Sequence, residues 1–158
     1  MNREQLESAY YAWCRAQAVR EAFDQLYEKI PPNAAYHDIV SMPSTKFSFI
    51  WVGLVYSVVE FLEKFGQVPL SIAEDVRLLQ EPWRRFRNAT FHIKNHPLAQ
   101  EYDALVRLPN SLSKIGHIHD ETGSYICRQL GIQFPPFVGT PAEFVVPVLI
   151  RDKPTPST

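Results

Sequence analysis

Cysteine is nearly absent from this chain, with two residues, Cys14 and Cys127, in 158. That excludes a dense disulfide framework, and two thiols so far apart in sequence do not make a metal knuckle. They fit reduced thiols in a cytosolic protein. Glycine is scarce too, with six residues, and no internal repeat is visible. Neither charge sign is in excess, since 16 basic residues face 17 acidic ones. Bulk charge therefore gives no argument for nucleic acid, and any such argument has to be local. No long apolar run is present: the uncharged run of the most apolar block, residues 47–59, has 13 residues, against the roughly 20 that a membrane span needs. The charged start, Met1 to Glu7, lacks the apolar run of a signal peptide. The expectation is a cytoplasmic protein without a membrane partner, and the Asn88-Ala89-Thr90 sequon carries no weight.

What is present is apolar and aromatic material. Apolar residues are 46% of the chain and aromatics 13%, enough for a real core at this length. The 13 prolines are unevenly placed. Proline is poorly tolerated inside helices and welcome at their starts, so it divides the chain into helical blocks. The first runs over about residues 3–30, with Leu6, Tyr10, Trp13, Phe23, Tyr27 and Ile30 as its apolar stripe and Arg20 interrupting it. Residues 33–45 read as a loop. The second block, about 46–65, is apolar on nearly every side and reads as a central helix. The third starts after Ser71, which with Glu74 predicts a capping box, and runs past Pro82 to His92 or Lys94. Pro97 opens a short fourth block. Pro109 opens a fifth, reaching Leu130, with Leu112, Ile115, Ile118, Tyr125 and Ile126 inward and Gly131 as its cap. Long helices with short connections predict an all-α antiparallel bundle of four to five helices over residues 1–130. Residues 131–158 hold six prolines and predict an extended Pro-rich tail lying across the helices, disordered toward its end.

Local charge is concentrated in residues 82–100, which contain Arg84, Arg85, Arg87 and Lys94 and no acidic residue. At about 100° per residue, Trp83, Phe86, Ala89, Thr90 and Ile93 fall on one side of a helix. Arg84, Asn88 and His92, each four apart, stack on the other. The apolar set would anchor the polar set to the core. Glu60, at the end of the apolar helix, either pairs with an arginine of this helix or faces solvent.

The segment Arg87-Asn88-x-x-x-His92 resembles the Arg-Asn-x-x-x-His signature of the HEPN family, and the helical layout is similar over roughly residues 3–130. Many HEPN proteins are metal-independent endoribonucleases that act as dimers, with the motif lining a cleft at the two-fold axis. The resemblance implies a homodimer that cleaves RNA, in a toxin, defence or RNA-processing setting, with an antitoxin or other regulatory protein as a further partner. By it, His92 is the acid/base group, Arg87 the phosphate ligand and Asn88 the orienting group. Arg84, Arg85 and Lys94 then face the RNA. The chemistry is coherent. An imidazole with an ordinary pKa near 6.5 suits proton transfer at neutral pH. A guanidinium meets the charge gathered on phosphoryl oxygens with two hydrogen bonds. No metal or other cofactor is required, which fits the lack of a carboxylate cluster. One departure stands out. HEPN toxins often carry, two residues after the histidine, a tyrosine that their partner modifies, and here that position is Lys94. The alternative is a non-catalytic HEPN-like module that binds RNA or protein. The His117-x-His119-Asp120-Glu121 segment has metal-binding residue types, but on a helix His117 and Glu121 share a face while His119 points elsewhere.

Overall fold

The computed structural model describes residues 1–31, 33, 42–91 and 98–134. They form five helices in the order α1 (Arg3–Tyr27), α2 (Pro43–Lys64), α3 (Ala73–Phe91), α4 (Leu98–Val106) and α5 (Ser111–Leu130), with no strand among the described residues. The all-helical bundle expected from the proline spacing is what is seen. The tail beyond Phe134, with its expected extended course, lies outside the described residues.

Local chemistry explains most of the helix ends. Asn2 caps α1 by accepting from the Gln5 N–H at 2.9 Å, and the Gln5 side chain accepts from the Asn2 N–H at 2.8 Å. This reciprocal pair satisfies two N–H groups that the first turn leaves open. α1 ends at Tyr27 rather than Ile30, and Tyr27 is 59% exposed, so it is not the core residue its spacing suggests. α2 begins at Pro43, inside the expected loop, because proline's fixed φ and missing N–H suit the first helical position. The capping box expected at Ser71 and Glu74 gives way to a tertiary contact: the Ser71 hydroxyl donates to Glu121 of α5 at 2.8 Å. Pro82 removes one backbone hydrogen bond without breaking α3. α5 starts after Asn110, which takes the left-handed conformation at φ 57°. It ends on Gly131 at φ 70°, as its sequence predicts, and the Ile132 N–H closes the end on the Cys127 carbonyl at 2.8 Å.

α2 is the hub. Trp51, Val52, Val55, Tyr56 and Val59 form one cluster with Val76, Leu79, Trp83 and Phe86 of α3, Leu105 of α4 and Ile115 and Ile118 of α5. Val58 and Leu62 join Ala9 and Trp13 of α1 and Ile126 of α5 in a second cluster. α1 runs antiparallel to α2, since Phe23 stacks on Trp51 while Trp13 shares the cluster of Val58 and Leu62. α3 runs antiparallel to α2, since Arg87 meets Glu60 while the Phe91 ring covers Gly53. Length and composition alone, with a mean hydropathy of 1.4, would also let α2 cross a membrane. The other helices pack against its apolar faces.

Candidate functional site

The buried positions of α3 are Val76, Leu79, Trp83 and Phe86, at helical spacings of three and four. Trp83 and Phe86 have no exposed surface, and the Trp83 indole N–H donates to the Val52 carbonyl at 2.9 Å. These anchors fix the rotation of α3, as the apolar side of the motif predicts. Arg84 and Arg85 are therefore exposed, and Arg87 and Asn88 are half-buried against α2. Thr90 turns its hydroxyl back to the Phe86 carbonyl at 2.9 Å.

Arg87 is held on every side of its guanidinium. Its Nη2 reaches Glu60 Oε2 at 3.2 Å, its Nη1 reaches Asn88 Oδ1 at 2.8 Å, and its Nε reaches Ser57 Oγ at 3.4 Å. The planar group also lies over the Tyr56 ring, 5.9 Å from its centroid. Of the two readings of Glu60, pairing with the motif helix is the one observed. Burial, and after it the Glu60 carboxylate, pushes the Tyr56 phenol above its ordinary range. Arg84 takes two hydrogen bonds to Glu81, at 3.0 and 2.9 Å, and Arg85 pairs with the nearly buried Glu101 at 3.4 Å. Arg84, Arg85 and Arg87 thus each meet a carboxylate. The sequence signal was the basic run itself; the acids that balance it come from one turn before it, from α2 and from α4. His92 and Lys94, like His96 and His37, lie outside the described residues.

His119 occupies a different kind of place. It is fully buried, stacked on Trp13 at 5.3 Å between ring centroids. Trp51 Nε1 donates to its Nδ1 at 3.4 Å, and its Nε2 lies 2.7 Å from Gln17 Oε1. Those contacts fix the tautomer with the proton on Nε2. Burial first, and then the nearby Arg20 guanidinium, lower its pKa to about 3. His117, by contrast, is exposed, so the two histidines part as their helical spacing predicts. Among the described residues no group of three or more His, Cys, Asp or Glu side chains is brought together. Cys14 and Cys127 are free thiols, and burial pushes Cys127 up to about 11.

A groove of about 730 Å³ opens between the C-terminal half of α1, the N-terminal half of α2 and the start of α5. Phe23, Tyr27, Trp51 and Leu112 wall it, and the Arg20–Asp120 ion pair, 2.5 Å long, crosses its rim. No local pattern marks it, because its lining residues come from segments far apart in the chain. It does not include the motif arginines. Compared with protein-family models, with curated proteins and with solved structures, the chain has no significant match.

Proposed function

We propose that this protein is a metal-independent endoribonuclease that acts as a homodimer, with Arg87, Asn88 and His92 as its catalytic set. The observation that carries the reading is the Arg87–Asn88 pair, joined side by side near the end of α3 and half-buried against the apolar helix α2. Four residues after Asn88 the sequence supplies His92. In this reading His92 takes the proton of a ribose 2′-hydroxyl. The 2′-oxygen forms a bond to the adjacent phosphorus, and the bond to the 5′-oxygen of the next nucleotide breaks. That oxygen leaves with a proton, and the other product ends in a 2′,3′-cyclic phosphate. Arg87 meets the charge on the phosphoryl oxygens, and Asn88 orients the guanidinium.

The setting is that of a HEPN-like protein, and a toxin or defence role with a regulatory partner belongs to the same proposal. Arg84, Arg85 and Lys94 would extend the RNA contact, and the protein would work in the cytoplasm. The test is cleavage of a mixed single-stranded RNA by wild type beside His92→Ala and Arg87→Ala. Loss of a positioned acid/base group typically costs about 10²–10⁴ in rate. Equal activity in wild type and His92→Ala would remove His92 from the mechanism. One observation favours a second reading, a non-catalytic module that binds RNA or protein: Arg84, Arg85 and Arg87 all meet carboxylates. That reading expects no cleavage by wild type and an affinity that depends on these arginines.

A further inference from the structure

We propose that Glu60 competes with substrate phosphate for Arg87, so that α2 sets how readily the motif helix accepts RNA. The inference rests on the RNA reading of the site given above. A guanidinium grips a phosphate with two parallel N–H groups along one edge. In Arg87 all three nitrogens are engaged: Nε by Ser57, Nη1 by Asn88 and Nη2 by Glu60. Both gripping edges include Nη2 or Nε, so no edge is open. Ser57 is a weak claimant at 3.4 Å. Asn88 is neutral and can turn its other lone pair or its amide toward an anion. Glu60 alone among the three carries a negative charge, and it repels the phosphate as well as blocking Nη2.

The pair is also built to yield. The Glu60 side chain is 48% exposed and that of Arg87 is 25% exposed, so solvent screens the attraction and an exposed ion pair of this kind is weak. Glu63 stands on the same side of α2, where burial first, and then the Glu60 carboxylate, raise its pKa. Released from Arg87, Glu60 keeps this like charge beside it without a compensating cation, which favours re-forming the Arg87 pair when the phosphate departs. Glu60 is a competitor in this scheme, and Ser57 and Tyr56 are the groups that position Arg87.

The experiment uses full-length protein and a fluorescein-labelled single-stranded RNA whose riboses are 2′-O-methylated, so that it binds without being cut. Anisotropy titrations at one fixed salt concentration compare wild type, Glu60→Gln, Glu60→Ala, Arg87→Ala and the Glu60→Gln/Arg87→Ala double variant. Glu60→Gln and Glu60→Ala should bind about two- to fivefold more tightly, the range that a half-exposed ion pair commands. The gain should vanish in the Arg87→Ala background, as a direct competition requires. Unchanged or weaker binding by the Glu60 variants, with Arg87→Ala still impaired, overturns the competition and makes Glu60 a positioning residue. Equal binding by wild type and Arg87→Ala, or none by any protein, fails the RNA reading itself and the inference with it.

Discussion

Both ring nitrogens of His119 are spent inside the core, and its ring has no solvent contact. The folded chain therefore refuses a proton that the unfolded chain takes near pH 6.5. Its stabilising share is complete above pH 6.5 and is lost as pH falls from there toward about 3. The slope is about 1.4 kcal/mol per pH unit, so about 2 kcal/mol is gone by pH 5. Urea unfolding at pH 7.5 and pH 5 should show this loss in wild type and a smaller one in His119→Gln. Parallel losses in both would assign the acid sensitivity to other groups. A second residue-scale prediction concerns Gly123. A methyl there would lie 2.3 Å from Trp13 Cε2 and 2.6 Å from its Nε1, which donates to the His119 carbonyl. Overpacking of this kind costs about 1–3 kcal/mol, against up to about 1 kcal/mol gained in helix propensity. Gly123→Ala should lower the Tm by several degrees. Gly116→Ala on the same helix, with nothing within 4 Å, should hold or raise it. Neither residue announced its role in the sequence. His119 sits in a run of metal-type residues, and Gly123 reads as an ordinary weak point in a helix; only the arrival of Trp13 from α1 gives both their meaning.

At the scale of elements, the sequence was legible wherever the chemistry was local. Prolines 97 and 109 precede helix starts, Gly131 marks an end, and the apolar spacing of α3 selects Trp83 and Phe86 as anchors, whereas Pro43, read as part of a loop, opens α2. It misled where a tertiary contact competes with a local one. Ser71 has the right spacing to cap α3 but spends its hydroxyl on Glu121, and Leu112 continues the apolar stripe of α5 yet is 41% exposed at the groove. α2 gives the clearest element-scale prediction. Val55 is 1% exposed and lies in the cluster formed with α3, α4 and α5. Val55→Asp would bury a charge without a partner, at a cost of about 3–5 kcal/mol. It should unfold the protein or leave it in the insoluble fraction. Wild type should be recovered without detergent, since residues 47–59 serve as core. Recovery of wild type only from membranes would overturn that assignment of α2.

For the molecule as a whole, the fold class follows from composition and helix lengths, whereas the candidate site depends on how many chains contribute to it. Arg87 and His92 are five positions apart, which on an ideal helix separates them by about 140°. One chain alone therefore turns Arg87 toward Glu60 and Tyr56, about 140° from the direction in which an ideal helix carries His92. A two-fold mate that brings its own motif helix alongside would supply the missing group. Phe91, four residues after Arg87 at the end of α3, leaves 42% of its surface exposed, an apolar side chain that such a contact would cover. Sedimentation at micromolar concentration should give twice the 18.2 kDa chain mass. Phe91→Asp should shift the mass to that of one chain and abolish cleavage, while Leu70→Asp, at a 95% exposed position away from the motif, should change neither. Phe91→Asp also relieves the ring that covers Gly53, so its thermal melt has to be compared with wild type. A variant that melts normally, stays monomeric and still cuts RNA would show that one chain holds the whole site. A site shared between two chains would then be wrong.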